Sequence, residues 1–178
     1  SFIHSLSMGF GCGFVAGSTG VLLNNRAGRG FSLVDGHPNV IEGGKRTMHT
    51  LNAYMVFKDD EPVLVGGTPG GDRQIPWNVQ VISNVIDHGM DAQQAVEAPR
   101  WVSTPGSDPA SIDDAPRVEL DPGMSVIEVE KLRAKGHKVD VKVALGHGGS
   151  AKLIVIDQQT GVKTAGSDPR SDGHAAAL

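Results

Sequence analysis

With a single cysteine, Cys12, this chain has no means of building an internal disulfide framework. Aromatic residues make up only 4% of it, so its core must rest on Val, Ile, Leu and Ala. Positive charge is not in excess: 16 Lys and Arg stand against 20 Asp and Glu, for a formal net charge of −4. With no basic stripe, a nucleic-acid partner is not expected. No apolar run approaches the roughly 20 residues that cross a bilayer, and no Lys/Arg-rich amphipathic stretch marks a membrane surface. The opening SFIHSLSM lacks a charged leader and does not read as a signal peptide. The compartment, cytoplasmic or periplasmic/secreted, stays open. His4, His37, His49, His88, His137, His147 and His174 are scattered, with no HExxH and no carboxylate at ligand spacing, so no metal site is expected.

What the chain does have is glycine, 24 in 178 residues. The length fits one domain. Ser1–Met8 alternates and predicts a strand. Gly9–Gly20 holds five glycines and reads as a loop, followed by a short apolar strand over Val21–Asn25. Arg26–Gly44 is irregular, as functional segments often are. Asn52–Lys58 and Pro62–Gly67 predict a hairpin turning at Asp59-Asp60-Glu61. From Ile75 the apolar period becomes helical, ending near Gly89. Asp91 is placed as an N-cap for a short helix over Ala92–Glu97, stopped by Pro99. Trp101–Pro116 reads as a polar loop and Arg117–Leu120 as a strand. Met124–Lys135 reads as a helix with basic residues at its C-terminal end. Strands are expected over His137–Val143, Lys152–Asp157 and Val162–Ala165. Strands at both ends with two substantial helices between them make an α+β architecture rather than a βαβ repeat.

The stretch VLVGGTPGGDRQ, Val63 to Gln74, runs strand, glycine loop, helix. Such a loop offers bare backbone N–H groups to an anion. It matches no nucleotide fingerprint, having neither GxGxxG nor a following Lys-Ser/Thr. Gly70 and Gly71 therefore form a plain structural turn, a phosphate site, or a cradle for the transient oxyanion of acyl transfer. Arg26 and Arg29, in the irregular stretch, are either surface charge or a fork for a carboxylate. Cys12 is either inert or a nucleophile. Ser150 in GHGGSAK fails the G-x-S-x-G elbow at Lys152. Asp113 and Asp114 read as members of a solvated loop.

Four stretches together resemble the small subunit of the gamma-glutamyltransferase family. They are FGCGFVAGSTGVLLNN (Phe10–Asn25), GKRTMHTL (Gly44–Leu51), GGTPGGDRQ (Gly66–Gln74) with the helix and APRW after it, and GSDPRSDG near the end. Their order and spacing span essentially the whole chain. The resemblance implies an N-terminal nucleophile hydrolase of four-layer αββα fold, made from a precursor that cuts itself. The new N-terminal Thr is the nucleophile and its α-amine the base. By alignment Ser1 falls inside the second strand, so the chain reads as most of a small subunit without its first strand. The nucleophile then lies upstream, and the piece alone is expected to be inactive. The implied partner is the large subunit of the same precursor, with a homodimer of such heterodimers also allowed. No cofactor is implied.

Residue by residue, Gly70 and Gly71 match the family's oxyanion-hole glycines. Ser5 matches a Thr that hydrogen-bonds the nucleophile. Ser7 stands where glutathione-cleaving members carry Asn. Arg26 replaces a Gln, and the Arg29-Gly30 pair replaces the Asp that binds the substrate's α-amino group. His49 and Thr50 replace a Ser-Ser pair that holds the α-carboxylate. Arg170, in SDPRS, is either a further pocket residue or the partner of Asp168 or Asp172. Losing an Asp and gaining Arg disfavours an ammonium group. The expected substrate is an amide of a dicarboxylic acid, a glutaryl-type or interior poly-γ-glutamyl chain, as in the cephalosporin-acylase-like branch. The alternatives are glutathione hydrolysis proper and a non-catalytic relic that binds acidic peptides.

Overall fold

The hairpin expected between Asn52 and Gly67 begins the larger of two sheets. The computed structural model describes residues 2–106, 114–144 and 149–176. Ser1, Asp113 and His147, singled out above, lie outside the described residues. Strand β1 (Ala53–Lys58) pairs antiparallel with β2 (Glu61–Gly67). Asp59 and Asp60 turn the chain with φ of 51° and 65°, the left-handed pair that suits the twist of a tight hairpin. β6 (Lys152–Ile156) joins β2, and β7 (Lys163–Ser167) joins β6, both antiparallel, so the order is β1-β2-β6-β7.

Register decides which side chains meet. Val56, Leu64 and Val155 form one row across the sheet, facing two helices. Those are α2 (Gln74–Ile86) and α3 (Ala92–Glu97). Val81, Ala92, Ala95 and Val96 from the helices close with Leu64, Ala151 and Leu153 into the main core. α3 starts as its sequence requires: Asp91 Oδ1 accepts from Gln94 N at 2.8 Å and Gln94 Oε1 accepts from Asp91 N at 3.1 Å, a complete capping box. The neighbouring row, Met55, Val65, Ile154 and Ala165, faces away from the helices. Met55 is 46% and Ile154 39% exposed.

The smaller sheet holds β3 (Trp101–Thr104), β4 (Arg117–Leu120) and β5 (Val139–Val141). β4 and β5 are parallel, so they need a crossover, which α4 (Val126–Ala134) provides. Leu120, Val129 and Val139 make its small core.

Four expectations change. Residues 2–8 form no strand, because Ser7 has φ of 79° and its N–H goes to Ser5 Oγ at 3.0 Å instead of a ladder. Over Val21–Asn25 only a single bridge forms, Leu22 to Val15. Part of the irregular stretch is a short helix, α1 (Arg26–Gly30). The polar loop expected over Trp101–Pro116 begins with a strand: β3 pairs with β4, and Val102 is buried while its neighbours Trp101 and Ser103 are exposed. Two sheets with helices confirm the mixed architecture.

Candidate active site

β2 leads straight into the glycine turn. Thr68, 1% exposed, anchors it by donating its hydroxyl to Asn78 Oδ1 at 3.0 Å, and Asn78 Nδ2 donates to Asn52 Oδ1 at 2.9 Å. Gly70 then takes φ of 142° and Gly71 φ of 62°, conformations that side-chain-bearing residues avoid. A 3-10 turn, Gly71–Arg73, feeds directly into α2. Among the described residues the N–H groups of Gly70 and Gly71 donate to nothing. The turn is partly open rather than sealed in the interior. Two unspent amides at the start of a 13-residue helix suit a negatively charged oxygen.

Two cavities flank this turn. One, of about 690 Å³, is bordered by Arg29, Gly70, Asp72 and the β3 strand. The other, of about 540 Å³, is shared by Phe2, Ile3 and His4 with Gly67, Thr68 and Pro69. The N-terminal segment thus runs beside the loop that carries the glycines.

α1 brings Arg29 to the same place. Asn25 stitches it to the N-terminal segment, donating its N–H to Leu6 O at 3.1 Å and accepting from Met8 N at 3.0 Å. Ser7 lies between those two residues, and its hydroxyl oxygen is shielded from solvent with no partner among the described residues. Ser5 is exposed. Arg26 Nη1 donates to Thr50 Oγ1 at 3.1 Å and forms no ion pair among the described residues. Arg29 Nη2 donates to Asp72 Oδ2 at 3.1 Å. Its guanidinium packs on Gly71, where an added Cβ would lie 3.0 Å from Arg29 Nη1. His49 is exposed beside Thr50.

Arg170 is placed elsewhere. Its side chain is 2% exposed. It forks Asp121 Oδ2 at 3.1 and 2.8 Å, meets Asp168 Oδ1 at 2.9 Å, and donates to the carbonyls of Val96 and Ala98 at 3.0 Å. The salt bridge to Asp168 weighed in the sequence is present, and it occupies the donors a substrate would need. Asp168 also binds Arg100 Nη2 at 2.7 Å. Burial pushes the Asp168 carboxyl up. The N–H groups of Ala151 and Arg170, with the Arg100 charge, outweigh that and hold it below the usual carboxylate range.

Asp72, Trp77 and Arg100 escaped the sequence reading. Asp72 follows the glycine pair directly and was the detectable one, since an acid beside a candidate arginine is a partner to consider. Arg100 lies in the quoted APRW, but nothing local says that it pairs with an acid in another strand's loop, 68 residues on.

The family model described as Gamma-glutamyltranspeptidase matches residues 1–178. The glutathione hydrolase-like YwrD proenzyme of Bacillus subtilis is 39% identical over 100% of this chain and 33% of its own length. The oxamate amidohydrolase proenzyme of Klebsiella pneumoniae is 32% identical over 99% of this chain and 32% of its own. The crystal structure of cephalosporin acylase from Bacillus halodurans superimposes with a TM-score of 0.85 at 38% identity, covering 98% of this chain and 31% of that one. The chain therefore spans about a third of the length of these relatives. On a match over its whole length, the chain belongs to the gamma-glutamyltranspeptidase family of N-terminal nucleophile hydrolases.

Proposed function

We propose that the chain carries the oxyanion hole and part of the acyl pocket of an amide hydrolase/acyltransferase. Its nucleophile is an N-terminal Thr supplied from upstream of the residues in hand. That hydroxyl attacks the amide carbonyl, its α-amine takes the proton, and an acyl-enzyme forms as the leaving amine departs. The Gly70 and Gly71 N–H groups receive the tetrahedral oxyanion. The observation that carries this reading is that these two amides are partly open and, among the described residues, unspent, beside a guanidinium. Ser5 and Ser7 hold the nucleophile and the acyl group from the N-terminal segment. Water or an amine resolves the intermediate.

The substrate is an amide of a dicarboxylic acid without an α-amine, of glutaryl or interior poly-γ-glutamyl type. Arg26, fixed by the neutral Thr50 and without an ion pair among the described residues, takes the distal carboxylate, with Arg29 and His49 as further pocket candidates. Oxamate, named for one relative, is itself an amide bearing a carboxylate and no amine. The large subunit of the same precursor covers the open face of the main sheet, and a second sheet there would complete an αββα sandwich. The name of the YwrD relative favours glutathione hydrolysis as the second reading. Asp72 offers a carboxylate for an α-ammonium there, although Arg29 engages it.

Hydrolysis of glutaryl- and γ-glutamyl-p-nitroanilide by the complete processed enzyme separates the two. At least a tenfold higher kcat/KM for the glutaryl compound is expected. Preference for γ-glutamyl would establish the second reading, and turnover of neither amide would point to the non-catalytic relic.

A further inference from the structure

Trp77 lies in the first turn of α2 with 6% of its surface exposed. A Cβ built on Gly70 would stand 2.4 Å from Trp77 Cζ3, and one built on Gly149 would stand 1.7 Å from the same atom. The benzo edge of the indole thus fills the space that side chains at both positions would take. Arg100, 1% exposed, covers the ring, its guanidinium carbon 5.2 Å from the ring centroid. Arg100 Nη2 donates to Gly149 O at 3.2 Å and Asp168 Oδ2 at 2.7 Å. Asp168 Oδ2 in turn accepts from Ala151 N at 2.8 Å. Gly70, Trp77, Gly149, Arg100 and Asp168 form one unbroken set of contacts running from the glycine turn into the core.

We propose that Trp77 is a positioning residue for the Gly70–Gly71 turn, braced from behind by Gly149 and the Arg100–Asp168 pair. The inference rests on the acyl-transfer reading given above. Two consecutive glycines have the widest conformational freedom of any dipeptide, so they do not hold their own amides in one direction. An oxyanion hole works only if its donors are already aimed. A flat, rigid indole pressed against Gly70 removes the inward range of motion. Beyond the bonds of its Nη2, Arg100 has its Nε and Nη1 buried without partners among the described residues. Leaving such donors unmet is costly. What its position achieves is the covering of Trp77 and the tie to Gly149.

The test uses the complete processed enzyme, the p-nitroanilide amide that the wild type turns over faster, and active-site titration to correct for unprocessed protein. Trp77→Phe shortens the ring and is expected to lower kcat about 10- to 100-fold, as a displacement of about 1 Å at a reacting centre does, with KM within about twofold. Gly149→Ala drives the indole toward Gly70 and is expected to do the same. Combining the two should restore kcat at least about tenfold over Gly149→Ala alone, because the smaller ring makes room. A crystal structure of Trp77→Phe should show the Gly70 and Gly71 amides displaced by about 1 Å while β1 and β2 superimpose on the wild type. This second readout needs no turnover, so an inactive wild type would fail the functional reading and still leave the brace measurable. An unmoved turn with unchanged kcat in Trp77→Phe, or a lowered Tm with kcat intact and no coupling in the double variant, would overturn the proposal.

Discussion

Arg29 Nη2 stands 3.1 Å from Asp72 Oδ2, with its guanidinium packed against Gly71. One ion pair therefore ties α1 to the turn that would hold the oxyanion, and it sets the charge a substrate meets there.

Replacing Arg29 by Gln releases Asp72 from that pair and favours an ammonium group over a carboxylate. The ratio of kcat/KM for γ-glutamyl- to glutaryl-p-nitroanilide should rise about tenfold, the worth of one charge-assisted hydrogen bond. An unchanged ratio would show that Arg29 does not read the acyl group.

Arg26→Gln removes the cation that lacks a carboxylate partner among the described residues. Expected is a rise in KM for the glutaryl amide of about 10- to 100-fold. Hydrolysis of an acetyl anilide, which has no distal carboxylate, should change by less than about twofold.

Gly71→Ala tests the turn. A left-handed backbone costs an L-residue about 1–2 kcal/mol, and the new methyl meets Arg29 Nη1 at 3.0 Å. Loss of one aimed donor should lower kcat about 100- to 1,000-fold. If steady-state rates stay within about threefold of wild type, the oxyanion is bound elsewhere.

Asp168 makes acid sensitivity a structural prediction. Its carboxyl is held below the ordinary carboxylate value, so the stability it contributes is complete above that value, near 3.8. It is lost as pH falls through the lower folded value. The urea midpoint of the complete enzyme, followed from pH 6 to below about 3, should drop steeply at the acid end. Asp168→Asn should flatten that limb. At neutral pH it should cost about 3–5 kcal/mol, because it leaves Arg100 and Arg170 buried beside a neutral amide.

Tyr54 makes the matching alkaline prediction. Burial pushes its phenol up to about 12. Between about 10 and 12 the unfolded chain ionises and the folded one does not, so stability falls as pH rises through that window. Difference absorbance of wild type minus Tyr54→Phe should show phenolate appearing near pH 12. A midpoint near 10 would mean that the ring is open to water.

Where the signal was local, the fold was legible in the sequence. Asp91 ahead of a short helical run predicts an N-cap, which the structure completes as a capping box with Gln94, and Asp59-Asp60-Glu61 between two strand-like runs predicts the hairpin. β3 was hidden because its pairing with β4 is decided by residues 13 or more apart, while its own tail, TPGSDP, reads as loop. Residues 2–8 alternate like a strand, yet Ser5 Oγ and Asn25 Oδ1 claim the backbone donors that a ladder would need. Among the candidate residues, Gly70, Gly71, Arg26 and Thr50 could be singled out from motif position. Trp77 and Arg100 were not, because an aromatic in an amphipathic helix reads as ordinary core until its edge is seen against two glycines.

The row Met55, Val65, Ile154, Ala165 has a practical consequence. Made by itself, the chain leaves Met55 and Ile154 of that row in water beside strand edges at β1 and β7, a combination from which intermolecular aggregation starts. Refolding yields should fall steeply with protein concentration, and a charged residue at Ile154 should rescue the isolated chain while weakening the assembly proposed for that face.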